Sequence, residues 1–179
     1  MFYVCKLKSR GGAVGSSSGS VDFYSIIDFM KNTKLKGDIA EQAFVLQSLK
    51  KGWGVSIPTG DRMSYDVVLD VNGVLLKVQV KSAWFDQRKE NFVVDNRRTQ
   101  TNRKTIKRSP YNSTDFDFAA LYIDELDIFY IMPSEVFLSY GSEIHLIETS
   151  KRQRLPKSAK YRDAWKMIEN RAASVETPE

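Results

Sequence analysis

The chain has 179 residues, 42% of them hydrophobic, and its 27 Lys and Arg against 22 Asp and Glu leave a formal charge of +5. That length suffices for one domain with a core of its own, and the charge suits a polyanionic partner. A single cysteine, Cys5, and a single histidine, His145, exclude an internal disulfide framework, a CxxC zinc site and HExxH chemistry. Any metal must then be held by carboxylates and carbonyls, which favours Mg²⁺ over Zn²⁺.

Residues 1–29 contain RGGAVGSSSGS, a Gly/Ser-rich linker by composition, and are expected to lie outside the functional domain. That domain is expected over residues 30–173, with 174–179 as a tail. No run reaches membrane-spanning length and no signal peptide is evident, so a cytoplasmic protein without membrane association is expected.

Residues 37–54 (GDIAEQAFVLQSLKKGWG) read as a helix. Asp38 is its candidate cap, Ile39, Ala43, Phe44, Leu46 and Leu49 its apolar positions, and Gly52 its stop. Glu41 follows Asp38 at capping-box spacing and can serve only to secure the helix start. Its value as a ligand depends on the helix packing beside the next segment.

That segment, SYDVVLDVNGVLLKVQVKSAW (64–84), reads as two strands around Asn72-Gly73, the turn that most strongly specifies a two-residue hairpin loop. The loop fixes the register. Val71 faces Val74, Leu69 faces Leu76 and Val67 faces Val78, an apolar face that must be core. On the opposite face Asp66 meets Gln79, with Cβ atoms roughly 4.5–5.5 Å apart, and Lys81 lies two residues on. An acid, an amide and a lysine converge where a solvated face would scatter its charges. An ordinary polar sheet face with an Asp–Lys contact is the alternative.

Residues 91–95 are a candidate third strand. DFAALYIDELDIFYIMP reads as two strands around an acidic turn near Asp124. Residues 133–140 are a candidate helix, 143–149 a short strand and 161–173 an amphipathic helix. Together these elements give an α+β, or mixed α/β, domain around one sheet. Trp53, Trp84 and Trp165 are expected to pack rather than stack on bases. His145 is expected to have no catalytic role, and Tyr111, the last residue of the basic run that follows, could approach DNA without an assigned mechanism.

That run, NRRTQTNRKTIKRSPY (96–111), directly follows a strand read as part of the hairpin's sheet. Arg97, Arg98, Arg103, Lys104, Lys107 and Arg108 are uninterrupted by acids and interleaved with Asn96, Gln100 and Asn102, side chains suited to adenine edges as arginine is to guanine. It is the candidate DNA-binding element, although many charge runs are merely solvated. KRQRLPKSAKYR (151–162) is a second basic segment, a candidate phosphate clamp.

GDIAE, the hairpin, VVDNRRTQTNRKTIKRSPY, DFDFA and YGSEIHLIE together resemble the PD-(D/E)XK nuclease superfamily over about residues 34–165. The likeness is greatest to the homing endonucleases of cyanobacterial group I introns. The resemblance implies a restriction-endonuclease-like core, a central mixed sheet carrying a catalytic β-hairpin flanked by helices. It implies Glu41, Asp66, Gln79, Lys81 as the catalytic set. Asp66, Glu41, Gln79 and the Val80 carbonyl would then hold Mg²⁺, with Mn²⁺ a possible substitute. It further implies double-stranded DNA as substrate and a homotetramer, where one active site per chain requires at least a dimer. The target implied is a long site in a tRNA gene lacking the intron. Two residues depart from the superfamily motif. Tyr65 stands where its proline would precede Asp66, and Gln79 replaces an acid, as in the intron-encoded relatives. Rival readings are a restriction endonuclease or junction resolvase on the same core, and a DNA-binding module without catalysis.

Overall fold

A computed structural model describes residues 33–60, 62–101, 106–149 and 155–176. α1 (Thr33–Lys50) leads into the short β1 (Gly54–Ser56), and β2 (Val67–Val71) and β3 (Val74–Ser82) form the hairpin. Its register is the one the turn dictates: Val67 pairs with Val78, Leu69 with Leu76 and Val71 with Val74. Asn72 and Gly73 both take positive φ, 54° and 85°, as a type I′ turn demands. Asp70 Oδ1 closes the turn by accepting from the Gly73 N–H at 2.9 Å.

The chain continues through β4 (Trp84–Asp86), β5 (Asn91–Asp95), β6 (Arg98–Thr101), β7 (Ile106–Ser109), β8 (Phe118–Ile123) and β9 (Ile128–Pro133). Then come α2 (Ser134–Ser139), β10 (Glu143–Leu146) and α3 (Lys166–Glu176). The central sheet has the order β1-β2-β3-β8-β9 and is mixed, because β8 joins β3 in parallel while its other neighbours are antiparallel. A three-stranded sheet β10-β5-β4 and a separate two-stranded β6–β7 ribbon complete the strands.

Two apolar clusters sandwich the central sheet. Alternation on β3 sends Leu76, Val78 and Val80 into one, where they meet Ala40 and Phe44 of α1, Ile168 and Ala172 of α3, and Phe129 of β9. Phe44 and Trp165 stack with ring centres 5.5 Å apart, and Phe129 meets both edge-on. The second cluster joins Leu121, Tyr130 and Met132 of the central sheet to Phe92, Val94, Ile144 and Leu146 of the smaller one, with Phe137 of α2. Among the described residues no helix is long and apolar enough to cross a membrane.

Several local expectations need correction. α1 already runs from Thr33, so Asp38 and Glu41 lie inside it and form no capping box. Its buried positions are Ala40, Phe44 and Ser48, four apart, with Ser48 Oγ donating to the Phe44 carbonyl at 2.8 Å. Leu46 and Leu49 face outward, 53% and 55% exposed. Gly52 does end the helix, at φ 79°. The strand expected over 143–149 stops at Leu146. The last helix starts later than expected, at Lys166, because Asp163 takes φ 47° and its N–H donates to the Phe129 carbonyl, binding that stretch to β9. β5 belongs to the smaller sheet, so the basic run does not follow a strand of the hairpin's sheet. Trp53 and Trp165 pack as expected, but Trp84 on β4 is 40% exposed.

Candidate active site

The four residues selected from sequence face one cavity. Asp66 precedes β2 and is held there by its backbone N–H, which donates to the Val78 carbonyl at 3.0 Å. Gln79 is the cross-strand residue opposite it and is buried. The Gln79 amide Nε2 donates to Asp66 Oδ2 and, at 3.1 Å, to the Val80 carbonyl. The Val80 N–H donates to the same Asp66 oxygen at 2.7 Å. β3 therefore grips the Asp66 carboxylate with two successive residues, and β8 secures β3 from its other side, pairing Ala119 with Gln79 and Leu121 with Lys81.

Glu41 reaches the same cavity from α1, one residue past the buried Ala40. The cavity, of about 460 Å³, is lined by Glu41, Asp66, Gln79, Lys81, Arg98 and Tyr111, with Lys34 and Asp38 at the helix end and Ile57, Pro58, Met63 and Tyr65 on the loop side. Both carboxylates and cations line it.

Burial sets the electrostatics. The Glu41 carboxyl is pushed up to about 7, first by burial and then by the charges of Asp66 and Asp38. Burial also raises Asp66, against the Val80 N–H, Lys81, the Gln79 amide and Arg98, all of which favour its ionised form. Lys81 is lowered from the ordinary lysine value, again by burial first, while Asp66 and Asp95 oppose the shift. Its Nζ donates to the Arg97 carbonyl at 3.1 Å and lies 5.0 Å from the Tyr111 ring centre. Burial and the Asp66 charge raise the Tyr111 hydroxyl, so that phenol stays protonated and offers no base.

The donor set fits a hard divalent cation. Two carboxylates whose proton affinity is raised face one cavity beside an inward amide and a backbone carbonyl, an oxygen-rich set that Mg²⁺ tolerates with few protein carboxylates. Among the described residues no cluster of three or more His, Cys, Asp or Glu forms a metal site. The Gln79 amide presents Nε2 to Asp66 and Val80, so its oxygen becomes a ligand only when the amide turns over.

The basic run divides. Arg97 points outward and pairs with Asp95 at 3.0 Å, and Arg98 turns inward to the cavity. Asn96 is withdrawn from any base edge: it is buried, and Nδ2 donates to the carbonyls of Phe137, Tyr140 and Gly141 at 2.9–3.1 Å. That amide fastens the end of α2 instead. Gln100 lies on β6, and Lys107 and Arg108 on β7, with Gln100 paired to Lys107. Asn102, Arg103 and Lys104 lie outside the described residues, as do 151–154 of the second basic segment. Arg162 of that segment is tied to Glu148 and Asp163 at 3.2 Å. His145 sits 3.8 Å from Glu143, and the residues lining the cavity do not include it.

Sequence reasoning missed the loop side of the cavity and Arg98's inward turn. Tyr111 carried one signal, its place at the end of the basic run, but nothing local said that it would be buried.

A cavity bearing carboxylates, an amide, a lysine and an arginine is thus assembled on a central mixed sheet from a helix, a hairpin and the base of a ribbon. The chain belongs to the PD-(D/E)XK endonuclease family, whose model matches residues 31–168. Among solved structures it is similar to the bacterial homing endonuclease I-Ssp6803I, with 59% identity, a TM-score of 0.77, and coverage of 82% of this chain and 99% of that one. No curated protein matches it.

Proposed function

We infer that the protein is a site-specific DNA endonuclease of the homing type, hydrolysing phosphodiester bonds in double-stranded DNA with Mg²⁺. The observation that carries this reading is the convergence of Glu41, Asp66, Gln79 and Lys81 on one cavity, together with the 59% identity to a homing endonuclease. Asp66, Glu41, the Val80 carbonyl and Gln79 would hold the cation. The ion, when bound, supplies Lewis-acid polarisation of the phosphate and an activated water.

The chain's own groups do the remainder. Val80 N–H fixes the Asp66 carboxylate, and the Gln79 amide shares that role only until it turns over to present its oxygen. Lys81, seated between Asp66 and the Arg97 carbonyl, orients the attacking water and stabilises charge on the phosphate. Its lowered proton affinity eases proton transfer as well, but the neighbouring carboxylates favour its charged form, so positioning and electrostatics are the better assignment. The basic run, with Gln100, Lys107 and Arg108 on the β6–β7 ribbon and Arg103 and Lys104 in the sequence between its strands, is proposed to lie along the duplex, with Arg97 at its base on a phosphate. Cutting both strands with one site per chain calls for at least a dimer, and a tetramer is the assembly proposed. A cytoplasmic location, where it would meet its DNA substrate, is the one proposed.

The test is incubation with a randomised duplex library and Mg²⁺, beside an Asp66→Ala variant. Recovery of one long cleaved sequence with the unaltered protein alone is expected. Equal cutting by both proteins, or by neither, refutes the assignment.

A further inference from the structure

The dipeptide Arg97-Arg98, at the base of the ribbon, touches the cavity twice. The Arg97 carbonyl accepts from Lys81 Nζ at 3.1 Å. The Arg98 guanidinium reaches the loop that leads into Asp66: Nη1 donates to Ser64 Oγ at 2.9 Å, and Nη2 to the carbonyls of Arg62 and Met63 at 3.0 and 3.1 Å. The ribbon's other strand ends at Ser109, paired with Arg98, and two residues later Tyr111 is buried in the cavity wall under Lys81. Both feet of the ribbon are therefore planted in the catalytic cavity.

We propose that Arg98 is a positioning residue, a brace that transmits the seating of the ribbon on DNA to the Asp66 loop and, through the adjacent carbonyl, to Lys81. This rests on the endonuclease reading above. Within a basic run the default role of an arginine is a phosphate contact. Arg98 instead directs both terminal nitrogens onto three acceptors of its own chain, a planar fork used as an internal clamp. Loss of the brace frees residues 62–64, and a displacement of about 1 Å at a reacting centre can cost about a hundredfold in rate. A ribbon that binds without closing this link holds DNA but cuts it slowly.

The experiment compares Arg98→Ala and Arg98→Lys with the unaltered protein on a duplex carrying the sequence recovered from the library. Three quantities are read: single-turnover cleavage rate at saturating protein, the salt dependence of affinity, and amide exchange over residues 62–66 in the DNA-free protein. The brace predicts a rate at least about tenfold lower, an affinity within about threefold, an unchanged salt slope and faster exchange at 62–66. Arg98→Lys keeps the charge but cannot hold three acceptors in one plane, so it is expected to resemble alanine and replaces it should alanine fail to fold.

A slope reduced by about 0.9 with the saturating rate intact makes Arg98 a phosphate contact and overturns the proposal. So does unchanged exchange at 62–66. If instead Asp66→Ala cuts as well as the unaltered protein, the endonuclease assignment fails, and the exchange measurement still decides whether Arg98 braces the loop.

Discussion

Replacing Glu41 by glutamine should stabilise the metal-free protein at alkaline pH while impairing its use of Mg²⁺. The Glu41 carboxyl rises from 4.5 to about 7, chiefly by burial and then by Asp66 and Asp38. The folded chain thus holds that proton more tightly than the unfolded chain does. Its stabilising contribution is complete below about pH 4.5 and is lost as pH climbs through about 7. At about 1.4 kcal/mol per tenfold the rise is worth at most about 3.4 kcal/mol. Glu41 is only partly buried, and solvent screening reduces the figure to about 1–2 kcal/mol. Glutamine keeps the shape of the protonated acid at every pH. Urea unfolding in chelator, followed from about pH 4.5 to about pH 8.5, should therefore show the variant gaining about 1–2 kcal/mol on the wild type across that interval. Added Mg²⁺ should reverse the order at the alkaline end, since the wild-type carboxylate then acquires a counter-charge. Parallel curves in chelator, or a wild type that gains on the variant as pH rises, would refute the electrostatic account of this cavity.

Gln79→Glu should tighten Mn²⁺ binding by about tenfold or more, since a third charge at the cavity is worth at least about 1.4 kcal/mol; calorimetric titration reads this directly, and equal affinities would remove Gln79 from the ligand set. Phe44→Ala should cost about 3–5 kcal/mol in urea unfolding, because the ring is fully buried against Phe129 and Trp165; a loss below about 1 kcal/mol would mean that α1 is not anchored there. DNA affinity should fall about fortyfold from about 50 to about 200 mM salt if the ribbon makes about three phosphate contacts, and filter binding that shows no salt dependence would remove the ribbon from the interface.

The hairpin was legible because its constraints are local. Asn72-Gly73 forces positive φ twice, two-residue loops pair strands in one register, and alternation does the rest, so Asp66 beside Gln79 followed from counting. Glu41 was legible only as a candidate, since its worth depends on α1 crossing β3, a contact no local pattern reveals. The misreadings have the same origin. Leu46 and Leu49 look like core by hydrophobicity, yet the helix is positioned by Ala40, Phe44 and Ser48, whose small and flat side chains let it approach the sheet. Asn96 looks like a base reader in a basic run, but three carbonyls contributed from residues 137–141 claim its amide. Arg98 is one residue from Arg97 and identical to it in type. Only the loop across the cavity distinguishes them.

Among the described residues the ribbon is a sheet to itself, paired with neither of the larger ones. On the proposed reading, a protein engineer seeking a new target can therefore treat the span between Thr99 and Arg108 as an exchangeable cassette, provided that Arg97, Arg98 and Tyr111 are kept at its two ends. Grafts cut at those boundaries would inherit the cleavage machinery intact, whereas grafts that carry foreign residues into the two anchorages would trade a change of address for a blunted blade.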